Sequence, residues 1–172
     1  MSVLMVVGRG EAEPAVARRL LGQGDEVRVV VTDASEKPAW VSLGVHVAVG
    51  DPTDDDLIER AGQSARTLVL FDGHANDPAT VGAATKAASA AGIERLILCA
   101  PDVSSEIRRQ VEETQKSYVL LSYGRRLSLK GRASVEVISE AVDAADDMSG
   151  DPRVAVDLRE EGALGLLGGH GE

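Results

Sequence analysis

Six short apolar runs, at residues 3–7, 27–31, 45–49, 67–71, 95–99 and 118–121, recur along the chain with helical patterns between them. Near-continuous apolar runs of this length fit strands buried on both faces, as in a parallel sheet. The segments between them carry helix punctuation. Pro14 is placed at a first helical position, and Val16 with Leu20 and Ala17 with Leu21 follow at i, i+4. Thr53 and Asp56 form a capping-box pattern, and Gly62 is placed to close that helix. Asp77 and Pro78 open another helix, which Gly92 ends, and Ser104, Ser105 and Glu106 read as the start of a third. Residues 38–43 read as a short helix or a loop.

Strand–helix–strand alternation predicts a doubly wound α/β fold, a parallel sheet in strand order 3-2-1-4-5-6 with helices on both faces. Residues 122–133 are polar and basic and read as a loop. Val135, Ile138, Val142 and Ala145 recur at helical spacing, which predicts a helix ending near Met148. Val154, Val156 and Leu158 then alternate as a last strand. Residues 1–160 are expected to form one domain, and residues 161–172, rich in Gly and Leu without a period, a flexible tail.

Composition narrows the function classes. With 172 residues and 44% apolar content the chain can bury one sizeable core. Its aromatics are only Trp40, Phe71, Tyr118 and Tyr123. A formal charge of −10 and the lack of stacking aromatics exclude a nucleic-acid surface, and the charge suits anionic membranes no better. One cysteine cannot make an internal disulfide, no apolar run reaches a membrane span, and no leader pattern precedes Val3. A cytoplasmic location is expected. Fourteen arginines against four lysines point to a GC-rich, bacterial genome.

The chemistry concentrates after the first strand, at Gly8-Arg9-Gly10-Glu11-Ala12-Glu13. A dinucleotide fold uses three glycines here: for the turn, for backbone approach to a pyrophosphate, and for helix–strand packing. Gly8 and Gly10 fill the first two places and Glu13 stands at the third. Twenty residues on, Asp33 ends the second strand, where a carboxylate accepts from an adenosine ribose. Either the glycines seat a pyrophosphate or they only make a tight turn. Glu11 and Glu13 favour the turn, because they bring negative charge to the helix end that would hold an anion.

From Val3 to about Asp157 the chain resembles the NmrA-like, atypical branch of the short-chain dehydrogenase/reductases. The resemblance is carried by the Gly8–Gly10 loop and by the stretches ARRLLGQGDEVRVVVTD, GVHVAVGDPTDDDLIERA and AAGIERLILCAPD. The loop also resembles the nucleotide-binding domains of potassium-uptake regulators. The resemblance implies a cofactor site of Gly8, Arg9, Gly10, Glu11, Ala12, Thr32, Asp33 and Pro52, with Asp51 lining the adenine pocket. It extends to Phe71, Asp72, Gly73 and Ala100 at later strand ends. The family's 2′-phosphate arginine near Thr32 is missing, so NAD is expected over NADP.

The family's catalytic serine falls on Ala100 or Pro101, and its Tyr-x-x-x-Lys is absent: Ser122 follows Tyr118 by four and Leu127 follows Tyr123 by four. The chain also looks too short after the sixth strand for a substrate lobe. No catalytic residue is assigned. The three histidines, His46, His74 and His170, have no metal spacing. Three readings follow: a non-catalytic NAD(P)-type sensor with a degenerate site, a small NAD(P)-dependent oxidoreductase, or a cofactor-free scaffold for protein contact. The Ala-rich helix after Pro78 serves either close packing or a homodimer face.

Overall fold

The chain alternates strand and helix from its first residues, and the computed structural model describes residues 1–125 and 131–168. The order is β1 (Ser2–Val6), α1 (Ala12–Gly22), β2 (Glu26–Val31), a 3₁₀ turn (Ala34–Glu36), α2 (Lys37–Val41), β3 (His46–Val49) and α3 (Asp55–Ala61). Then come β4 (Thr67–Phe71), α4 (Asp72–Ala75), α5 (Pro78–Ala91), β5 (Arg95–Ala100), α6 (Ser105–Thr114) and β6 (Tyr118–Ser122). The described chain ends with α7 (Val135–Asp147), β7 (Arg153–Asp157) and α8 (Ala163–Gly168). The sheet runs β3-β2-β1-β4-β5-β6-β7 with every pair parallel. This is the doubly wound Rossmann-like fold expected, with β7 added beside β6.

Successive strand residues face opposite sides, and the core divides accordingly. Val3, Met5, Val29, Val69, Ile97 and Val119 pack under α1, α7 and α8. Leu4, Val6, Val30, Leu68, Leu96 and Leu120 pack under α3, α5 and α6. Both faces are covered, so the strands need apolar residues throughout, which produced the continuous runs. The Ala-rich face of α5 is buried within the chain, at Ala83, Ala84, Ala87 and Ala88. Small side chains there let the helix lie close to the sheet.

Three local expectations are corrected. Asp54, not Thr53, caps α3, accepting from the amides of Asp56 and Leu57, while Thr53 donates its hydroxyl to Asp51. Pro14 stands third in α1, which begins at Ala12. Residues 163–168, expected as part of a loose tail, form α8, and its Ala163 and Leu167 are buried against the α1/α7 side of the core. Ala163 and Leu167, spaced i, i+4 on one side of the short helix, give that stretch an apolar anchor despite its glycines. Residues 126–130 of the polar loop expected after β6, together with residues 169–172 and therefore His170, lie outside the described residues.

Candidate functional site

Open α/β sheets place ligands at the carboxyl edge where the strand order reverses. Here that point lies between β1 and β4. The loop after β1 carries Gly8 and Gly10, and Asp72 follows β4 directly. The two meet: a Cβ built on Gly10 would stand 2.7 Å from Asp72 Oδ2 and 3.0 Å from Glu13 Oε1. Only glycine leaves room for both carboxyls.

Glu13 is the centre of this cluster. It lies in the first turn of α1 and is 2% exposed. Its side chain reaches back three residues, and the Gly10 amide donates to Oε2 at 3.3 Å. A capping box uses the same backward reach. The result is that a carboxyl group of the chain itself occupies the amide that a bound phosphate would use. The other oxygen, Oε1, is buried without a hydrogen-bond donor.

Burial, followed by the negative charge of Asp72, pushes the Glu13 carboxyl up to about 8; the amides of Gly8 and Gly10 pull in the opposite direction. The group is therefore mostly protonated at neutral pH. Protonation turns Oε1 from an acceptor without a donor into a donor beside the Asp72 carboxylate.

Asp72 is held from its other side by Tyr123, whose hydroxyl donates to Oδ1. Burial and the Asp72 carboxylate raise the Tyr123 hydroxyl far above its usual range. Asp72 adopts φ +50°, a left-handed conformation that non-glycine residues seldom take and that clusters at functional sites. Arg132 lies over the Tyr123 ring at 4.9 Å. Tyr123 and Arg132 line a 320 Å³ cavity with Arg9, Gly10, Asp72 and Pro101. On the other side of the loop, Gly8, Glu13, Arg18 and Trp40 border a second cavity of 460 Å³.

The remaining expected site residues divide. Asp33 is exposed at the end of β2 and accepts from the Ser35 amide at 2.9 Å. Arg9 reaches across the loop to it, 3.4 Å from Asp33 Oδ2 and 3.2 Å from Glu36 Oε1. An arginine thus stands beside the second strand after all, brought by the loop rather than by local sequence. Thr32, Glu11 and Gly73 are exposed, and Ala12 is buried at the start of α1. Asp51 accepts from the amide and hydroxyl of Thr53, so its carboxylate also shapes its own turn, and Pro52 is buried. Phe71 and Ala100, expected at the cofactor, keep their side chains in the core. Both are core residues, at 2% and 0% exposure, and lie in opposite core clusters.

The geometry brings Pro101, Tyr123 and Arg132 to the site and gives Glu13, marked in the sequence by its place in the glycine pattern, its partners. Their common signal is position, within a few residues of a strand's carboxyl end or at the start of a helix that faces it. Among the described residues no group of three His, Cys, Asp or Glu could hold a metal ion, and no helix is long and apolar enough to cross a membrane.

A dinucleotide, which the fold implies, fits these residues only in part. The Asp33 carboxylate suits an adenosine ribose. The glycine loop does not suit a pyrophosphate while Glu13 holds the Gly10 amide.

No protein-family model matches the chain, and no curated protein matches it in sequence. Solved structures do match in fold. A short-chain dehydrogenase/reductase from Veillonella parvula aligns at a TM-score of 0.74 and 13% identity, covering 94% of this chain and 95% of that one. An anaerobillin reductase from Escherichia coli O157:H7 aligns at 0.66 and 14%, covering 91% and 96%. An NADPH-dependent quinone oxidoreductase from E. coli aligns at 0.68 and 15%. This chain covers 66% of that oxidoreductase, against nearly all of the other two. At these identities the likeness is one of fold.

Proposed function

We propose that the chain is an NAD(P)(H)-binding protein of the small-reductase type, with its cofactor seat at the Gly8–Gly10 loop. The observation that carries the reading is the convergence of that loop with Asp72 at the switch point, beside a cavity that contains Tyr123. Reductases of nearly the same length share the fold, so a short chain after β6 is no argument against turnover. Among this chain's own groups, Glu13, Asp72 and Tyr123 hold a proton at the floor of the site, and Arg9 with Arg132 supplies positive charge at its rim. Titration with NADH and NADPH, together with their oxidation in the presence of a quinone, tests the reading. Binding with turnover supports the reductase.

Glu13 favours a second reading, a sensor that binds dinucleotide without chemistry. Binding without turnover across several acceptors would select it, and no binding at all would leave a cofactor-free scaffold.

Arg9 modifies the expected preference for NAD. Asp33 alone repels a 2′-phosphate, but the Arg9 guanidinium beside it attracts one. Arg9→Ala is expected to shift the NADPH-to-NADH affinity ratio toward NADH by roughly tenfold. The shift should shrink with added salt, because Arg9 is largely exposed. Equal losses for both dinucleotides would place Arg9 away from the 2′ position.

A further inference from the structure

We propose that Glu13 is an internal plug of the cofactor seat: a pyrophosphate and the Glu13 carboxyl compete for the same glycine-loop amide, so binding displaces Glu13 and expels a proton. The inference rests on the dinucleotide reading and adds its regulation.

Three observations support it. Glu13 Oε2 already takes the Gly10 amide, so both occupants cannot be seated together. Glu13 Oε1 is buried and lacks a donor, a poor arrangement for an ionised carboxylate and a good one for a carboxyl that donates to Asp72. The 460 Å³ cavity bordered by Glu13, Pro14 and Arg18 lies next to the plug, with room for the displaced side chain and an arginine at its wall.

The groups around Glu13 set the direction of the pH effect. Asp72 faces it from the end of β4, with Tyr123 behind Asp72 at the end of β6. Cys99 on β5 is buried beside both carboxyls, and its thiol is raised by burial first and by their charge second. Arg132, ahead of α7, lies over Tyr123. Arg9, Arg18 and Glu36 border the cavity. The carboxyl is seated as the protonated acid, raised to about 8 from 4.5. Once displaced toward solvent and Arg18 it returns to the ordinary carboxylate range and ionises. Affinity should therefore rise with pH from about 5 to about 8 and level off above. Between those limits one pH unit corresponds to about tenfold. Lowering the pH locks the plug.

The test is calorimetric titration of the full chain with NADH, which has no 2′-phosphate to titrate, between pH 6 and pH 9. Buffers of different ionisation enthalpy report the protons released. In the wild type, affinity should rise with pH, with close to one proton released near neutrality. Glu13→Gly should bind more tightly than wild type at pH 6 with no release. Glu13→Gln, which keeps the side chain but cannot ionise, should bind with flat pH dependence. Wild-type binding that is independent of pH and matched by Glu13→Gly would overturn the plug while leaving the dinucleotide site in place. Affinity that falls as pH rises would also overturn it, since Glu13 would then stay seated. A folded Glu13→Gly variant that binds no NADH at any pH would overturn the dinucleotide reading, and the plug with it.

Discussion

Arg95→Met is expected to cost the fold about 3–5 kcal/mol, because each buried acceptor left without a donor costs about 1–3 kcal/mol. Arg95 opens β5 and is 6% exposed. Its Nη1 donates to the carbonyls of Ala145 and Asp146 at 2.8 and 2.7 Å, and Nη2 to Gly150 at 3.0 Å. Nε donates to Ser117 Oγ at 3.2 Å. The last carbonyls of a helix have no partner within it, and this guanidinium serves those of α7. Methionine fills the stem's volume and removes the Arg95 donors from two buried carbonyls, of Ala145 and Asp146, and from the part-buried carbonyl of Gly150. The Asp146 carboxyl, 1% exposed, has its own partners in the Thr67 hydroxyl and in Arg66 at 3.6 Å, and the substitution leaves both in place. The loss should appear as a lower urea midpoint with an unchanged slope. A cost below about 1 kcal/mol would mean that water replaces the guanidinium at the sheet's lower edge.

Glu13 should make the protein less stable as pH rises, opposite to the usual effect of a buried ion-paired carboxylate. Its folded value of about 8 lies above the unfolded 4.5. Between these limits the native state holds a proton that the unfolded chain has released, so each step up in pH favours unfolding. The stabilisation is complete below about pH 4.5 and lost as pH passes through 8. The difference is on the order of 3–5 kcal/mol across the window. Glu13→Gln removes the titration and should be the more stable protein at pH 8. A slope of the same sign remains in that variant from Asp146, whose carboxyl is also raised by burial. Parallel pH–stability curves for wild type and Glu13→Gln would show that Glu13 ionises without cost in the folded chain.

The fold was legible because a sheet covered on both faces needs apolar residues at every strand position, and the chain writes those strands as uninterrupted runs. Boundaries were less so. Thr53 and Asp54 both suit a helix cap, and only the extended backbone of Asp54 decides between them. The tail misled because its glycines hide a short helix with two buried anchors. At the site, Glu13 could be read as a departure from the glycine pattern, since it falls three residues after Gly10. The contacts that give it meaning could not: Asp72 and Tyr123 arrive from β4 and β6, which sequence spacing does not bring together. The same holds for Arg9, which meets Asp33 across 24 positions of chain. Phe71 and Ala100 sit at strand ends where ligands bind, yet their side chains fall on core-facing positions of the pleat.

The central claim is that the Glu13 carboxyl is seated, protonated, on the glycine loop. Its direct test is a pH titration of the Glu13 side-chain carboxyl carbon by NMR in the folded, unliganded protein. The account predicts a midpoint near 8, with the Gly10 amide shifting in the same transition. A midpoint near 4.5, with the Gly10 amide insensitive to it, would contradict the account.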